Sequence, residues 1–168
     1  DRLKNEGYKF EFKLKRQLTQ QELYKEMVNC DIYVDELKCG AHGVTAVEAM
    51  CAGKPTLTYI RDDLVKEYPQ DLPLVNTNPD TIYENLKILI VDSRLRNEIG
   101  KASREYVEKY HDTRVVVDGL IDIYKEILYL LDENNSLQLI KNSQKHLTRY
   151  MKHRNDASHT LINAITKF

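Results

Sequence analysis

The stretch HGVTAVEAMCAGKPTLTYI, residues 42 to 60, holds the residues best placed to do chemistry. Val44, Val47 and Cys51 recur at helical spacing, and Glu48 falls four residues after Val44 and three before Cys51, inside the same apolar stripe. An ionised carboxylate against a core is costly unless something hydrogen-bonds it; a backbone amide, Lys54 or a pair of ligand hydroxyls would each serve. Gly43 opens the helix, and the free amides of Gly43, Val44 and Thr45, at the positive end of the helix dipole, suit a phosphate. A diol and a phosphate in one ligand describe a nucleotide. Gly53-Lys54-Pro55 closes the helix, with Lys54 expected to satisfy its C-terminal carbonyls.

The elements that must position this helix alternate between strand and helix. The first residues, DRLKNEG, read as a last helical turn ended by Gly7, and the chain itself as a fragment of a longer protein. Tyr8 to Leu14 alternates apolar with charged residues, the pattern of a half-exposed strand. Thr19 and Glu22 form a capping box for a helix through Leu23, Met27 and Val28. Asp31 to Asp35 and Thr56 to Ile60 read as strands, RDDLVKEY as a helical turn before Pro69, and Leu74-Val75 as one last short strand. Strands joined through helices imply a parallel sheet, whose ligands gather at the carboxyl ends of the strands.

From Asp80 the pattern is wholly helical. Ile82, Leu86, Leu89 and Ile90 mark one helix; Asp92-Ser93 caps a second with Leu95, Ile99, Ala102, Tyr106 and Val107 inward; Thr113 opens a third whose stripe is Val116, Leu120, Ile123, Ile127 and Leu130. DENNS, residues 132 to 136, marks a boundary, so that one domain spans 1 to 131 and a helical tail 136 to 168. The tail carries six Lys and Arg against Asp156, a net +5, leaving −6 for residues 1 to 135 of a chain with formal charge −1. Its apolar residues, among them Leu137, Ile140, Leu147 and Met151, suit docking on protein, and its basic face an anionic membrane surface.

Residues 31 to 60, DIYVDELKCGAHGVTAVEAMCAGKPTLTYI, resemble the donor-binding segment of GT-B glycosyltransferases of family 4, the group 1 transferases that use nucleotide sugars. That family carries E-x7-E in the loop and helix after a strand, then A-M-x-x-G-x-P and another strand, and its order of elements runs here from about residue 8 to residue 131. The resemblance implies an α/β, Rossmann-like parallel sheet, the GT-B C-terminal domain lacking its first strand, followed by an all-helical segment. It implies that Glu48 holds the ribose hydroxyls and that the amides of Gly43, Val44 and Thr45 face the diphosphate of a UDP- or GDP-linked donor. The family's first glutamate falls at position 40, where this chain has Gly40, with Asp35, Glu36 or His42 near enough in sequence to take over polar contacts to the sugar. The family's diphosphate-clamping Arg and Lys would precede residue 1, and Lys15 and Arg16 do not replace them. The function implied is donor binding for transfer of a sugar to a saccharide or lipid-linked acceptor. An absent N-terminal half supplies the acceptor site, no cofactor is needed beyond the nucleotide-sugar substrate, and configuration is retained without a metal. The fragment alone is then expected to bind nucleotide weakly and turn over nothing. The alternatives are a non-catalytic or degenerate nucleotide-binding module, and an interaction domain working through the basic tail.

Other chemistries fare worse. His111-Asp112 lies at a helix junction and reads as a cap; His146, His153 and His159 stand six and seven apart, whereas ligands on one helix face stand three or four apart, so no metal is assigned. Cys39 near His42 suggests a thiolate and base, but no orienting third group is in view. Three cysteines, Cys30, Cys39 and Cys51, cannot all pair and fit a reducing, cytoplasmic setting, the tail allowing a peripheral place at the inner membrane face. The eleven tyrosines are dispersed and make no stacking platform for nucleic acid, and no apolar run approaches the ~18 residues of a membrane span.

Overall fold

The computed structural model describes residues 1 to 129 together with 141, 142, 144 and 145. In chain order its elements are α1 (Arg2–Asn5), α2 (Gln20–Asn29), β1 (Tyr33–Val34), α3 (Val44–Cys51), β2 (Thr56–Thr58), α4 (Asp62–Val65), β3 (Val75–Asn76), α5 (Ile82–Val91), α6 (Ser93–Tyr110) and α7 (Thr113–Tyr129). The fold is α/β, a small parallel sheet ordered β1-β2-β3 among helices. The chain divides into two units, Asp1–Glu108 and Lys109–Phe168.

Each local signal has a visible physical outcome. The capping box closes as the spacing demands: Glu22 N–H donates to Thr19 Oγ1 at 3.4 Å while Thr19 N–H donates to Glu22 Oε2 at 2.8 Å. Gly7, at φ +90, follows α1. β2 is the central strand, and Thr56, Leu57 and Thr58 are all buried, as a strand covered on both faces must be. Tyr33 pairs with Thr56 and Leu57 with Val75, and the ladder continues past the strands: Asp35 N–H donates to Leu57 O at 2.9 Å and Thr77 N–H to Thr58 O at 2.8 Å.

Two features of α3 tie it to the sheet. Its core face is Ala46, Ala49 and Met50, and the two alanines let the helix approach β2 closely. At its end Gly53 stands at φ +70; Gly53 N–H donates to Met50 O at 2.9 Å and Lys54 N–H to Ala49 O at 3.1 Å, the two bonds of a Schellman motif. α6 lies directly on this turn. A Cβ at Gly100 would run into Gly53 O, so only glycine permits the approach.

Three expectations are corrected. Tyr8 to Leu14 is not a strand: no ladder forms there, and Phe12 and Leu14 are 67% and 66% exposed. Alternation supplies an apolar face but not the neighbouring edge a strand must bond. The Val44, Val47, Cys51 stripe is not the buried face of α3, for Val44 is 75% exposed. In α7 the buried position is Val117, while Ile123 and Ile127 of the expected stripe are exposed. The other helices keep their expected registers, with Leu89 buried in α5 and Tyr106 and Val107 in α6, and Asp92 Oδ1 accepts from Leu95 N–H at 2.8 Å as the cap of α6. Leu130, the 132 to 136 boundary and the basic tail lie outside the described residues, apart from 141, 142, 144 and 145, which are helical.

Candidate functional site

The loop from β1 to α3 and the start of α3 lie at the carboxyl edge of the sheet. Gly43 is the N-cap of α3, extended at φ −92 and ψ −179, with no side chain capping the helix amides. Among the described residues no side chain accepts from the first amides of α3, so the helix begins with unused backbone donors. Thr45, in the first turn, donates its hydroxyl to Asp35 Oδ1 at 2.9 Å. Asp35 follows β1, so this bond clips the strand end to the helix start.

Glu48 sits one turn further along. Its side chain is half-buried, and its Oε1 accepts from the Tyr24 hydroxyl at 3.1 Å; Tyr24 OH in turn accepts from Gln20 Nε2 at 2.6 Å. Among the described residues no cation forms an ion pair with Glu48. Burial pushes the Glu48 carboxyl up from its ordinary 4.5, with the Tyr24 hydrogen bond opposing. Burial, and next the Glu48 charge, push the Tyr24 phenol up to about 12, so the phenol stays a donor at neutral pH. The protein partner of Glu48 is therefore neither Lys54 nor a backbone amide but Tyr24, 24 residues away, whose one signal in the sequence is the Gln20, Tyr24, Met27 face of α2.

Gly40 plays a backbone part. It is buried at φ +87, its carbonyl accepts from Arg61 N–H at 2.9 Å, and a Cβ would lie 2.5 Å from Arg61 Cγ. No residue with a side chain enters that corner without moving Arg61, whose guanidinium is held by Asp63 at 2.9 and 2.8 Å. Of the nearby polar groups, Glu36 receives the Cys39 thiol at 3.5 Å and His42 packs its ring 5.0 Å from that of Tyr68. The Cys39 bond to Glu36 raises the thiol pKa, the opposite of what a thiolate nucleophile needs. A cleft of 390 Å³, lined by residues including Ile60, Tyr68, Leu72 and Asn76, opens at the ends of β2 and β3; Glu48, Gly43, Val44 and Thr45 do not line it.

No protein-family model, curated protein or solved structure matches the chain. The chemistry of the site therefore rests on its own residues. The site combines an uncapped helix start, a carboxylate at Asp35, and a second, half-buried carboxylate at Glu48 that keeps hydrogen-bonding capacity on Oε2. Lys15 pairs with Glu26 at 3.1 Å. The cation at the C-terminus of α3 is Arg104, which donates from Nη1 to Cys51 O at 2.8 Å in the role assigned to Lys54. Asp112 caps α7, its Oδ1 accepting from Arg114 N–H at 2.9 Å. Among the described residues no group of three or more His, Cys, Asp and Glu could hold a metal, and no helix is long and apolar enough to cross a membrane.

Proposed function

We propose that the chain is the nucleotide-sugar-binding domain of a glycosyltransferase of the GT-B, family 4 kind, its sheet the Rossmann-like C-terminal half of that fold. The donor is a UDP- or GDP-linked sugar, and the whole enzyme moves the sugar to a saccharide or lipid-linked acceptor held by its other half. One observation carries the reading: the eight-residue helix α3 joins an N-terminus without a side-chain cap to a half-buried carboxylate one turn along that is met by a phenol rather than a cation.

In this reading the first amides of α3 donate to the diphosphate. Those donors stabilise the negative charge that grows on the leaving group as the sugar departs. Glu48 accepts from the ribose hydroxyls in charge-assisted bonds, with Tyr24 fixing Oε1 and leaving Oε2 for the ligand. The enzyme works in the cytoplasm.

Isothermal titration of the chain with UDP, GDP and their sugars tests the reading. Weak binding that Glu48→Ala removes is the expected result. The second reading, a degenerate module without transfer activity, is favoured by the closed corner at Gly40. It gains if Glu48→Ala leaves nucleotide affinity unchanged. Binding that falls steeply with salt and survives Glu48→Ala would instead point to the basic tail as the interacting part.

A further inference from the structure

The chain that follows β2 folds into a wall of tight turns beside the ends of β2 and β3. From α4 onward, Tyr68 N–H donates to Val65 O at 3.3 Å and Leu72 N–H to Pro69 O at 3.1 Å. This wall and the strand ends enclose the 390 Å³ cleft, a volume within the range of about 300–1,000 Å³ typical of small-ligand sites. Its lining is aliphatic and aromatic: Ile60, Val65, Tyr68, Pro69, Leu72 and Leu74. Asn76 lines it too, but its amide is spent. Ile60 N–H donates to Asn76 Oδ1 and Asn76 Nδ2 donates to Ile60 O, both at 2.9 Å, bracing β3 to the chain just past β2. Beside the Tyr68 hydroxyl, the other polar groups of the lining are Lys66 and Gln70, both exposed, and among the described residues Lys66 forms no ion pair.

We propose that this cleft binds a hydrocarbon chain that carries a phosphate, the chain against the apolar lining and the phosphate at Lys66. Filling an apolar concavity with hydrocarbon is favourable by about fourfold in affinity for each methylene taken out of water. A saccharide or a nucleobase is selected differently, by fixed donors and acceptors that are still free to bond. Here the one fixed amide is already used on Ile60, and Lys66 and Gln70 stand exposed on long stems. Lys66 is the cation of the lining and meets a phosphate as a point charge. Tyr68 connects the cleft to the start of α3: it lines the cleft and packs its ring 5.0 Å from that of His42, which directly precedes the Gly43 cap. The site itself stands on the cleft alone. One further step rests on the donor-binding reading and deepens it: the acceptor is then of the lipid-linked kind, and its chain lies in this cleft.

The test is isothermal titration of the full chain with farnesyl phosphate, farnesol, inorganic phosphate and UDP, each kept dilute enough to stay monomeric. Farnesyl phosphate is expected to bind at least about a hundredfold tighter than inorganic phosphate, and about threefold tighter than farnesol. Val65→Asp puts a charge on the cleft wall and should weaken farnesyl phosphate and farnesol alike by about tenfold or more. Lys66→Ala should remove the difference between those two ligands. Both side chains are exposed, so neither substitution empties the core, and neither should change the affinity for UDP. Farnesyl phosphate that binds no tighter than inorganic phosphate, or equally well to wild type and Val65→Asp, overturns the chain site; UDP binding in the same protein would leave the donor reading standing. Farnesyl phosphate binding that depends on Val65 and Lys66 while UDP fails to bind upholds the chain site and overturns the donor reading. Attachment only to vesicles of anionic lipid, unchanged by Val65→Asp, overturns the cleft in favour of a membrane surface contact.

Discussion

The two ends of helix α3 are built on opposite principles. At the C-terminal end every loose group is used: Gly53 and Lys54 amides return to Met50 and Ala49, Arg104 donates to Cys51 O, and Gly100 lets α6 sit on the turn. At the N-terminal end the cap is a glycine without a side chain, Asp35 Oδ2 has no partner among the described residues, and Glu48 is half-buried against a phenol with its pKa raised by burial. A helix of eight residues is too short to hold itself, so the packed end must supply the stability that the open end gives up. A glycine cap and a half-buried acid gathered at one helix end are local exceptions of the kind that functional sites display.

The contrast can be broken most forcefully at the packed end. Gly100→Ala forces a Cβ into Gly53 O, and we expect a loss of about 3 kcal/mol in urea unfolding, whereas Gly43→Ala at the open end, whose nearest contacts would be ordinary at 3.7 and 3.8 Å, costs less than about 1 kcal/mol. Equal costs would erase the distinction. Gly40→Ala comes next, at about 1–3 kcal/mol, because the left-handed backbone and the Arg61 side chain both oppose it; thermal melting reads the shift. Arg104→Met keeps an apolar stem but deletes the donor to Cys51 O, for about 1 kcal/mol by the same unfolding assay.

The smallest change is expected to have the opposite sign. Burial raises the Glu48 pKa above 4.5, so the folded state favours the protonated acid. Its contribution to stability is full below the unfolded value and is lost as pH rises through the folded one. Glu48→Gln keeps an acceptor for Tyr24 and removes that loss. It should be at least as stable as the wild type at pH 7, with a gain under about 1 kcal/mol that disappears near pH 4. A destabilised Glu48→Gln at pH 7 would mean that the charge itself holds the fold together.

How much of this was legible in the chain depends on the range of the interaction. The Thr19 and Glu22 capping box, the Asp92 cap, the helix from Val44 closed by Gly53, and the strand at Thr56 all follow from residues within a few positions of one another, and all are present. Tyr8 to Leu14 has a strand's alternation but needed a partner strand, which no local pattern reveals. The face of α3 was phased on Val44 and Val47, the larger apolar residues, because alanine gives a weak signal, yet close packing on β2 selects Ala46 and Ala49. Tyr24 on Glu48 and Arg104 on Cys51 join residues 24 and 53 positions apart, and nothing in either neighbourhood points to the other. At Gly40 the sequence showed an absent carboxylate; the structure supplies a backbone reason for the glycine.

The most direct measurement is a two-dimensional amide NMR titration of the chain with UDP and GDP. The amides of Val44, Thr45 and Ala46 should shift progressively with nucleotide while those of Gly53 and Gly100 stay in place. Saturating nucleotide that leaves the start of α3 unmoved, or that moves only the packed end, would contradict the assignment of this helix to a phosphate-bearing ligand.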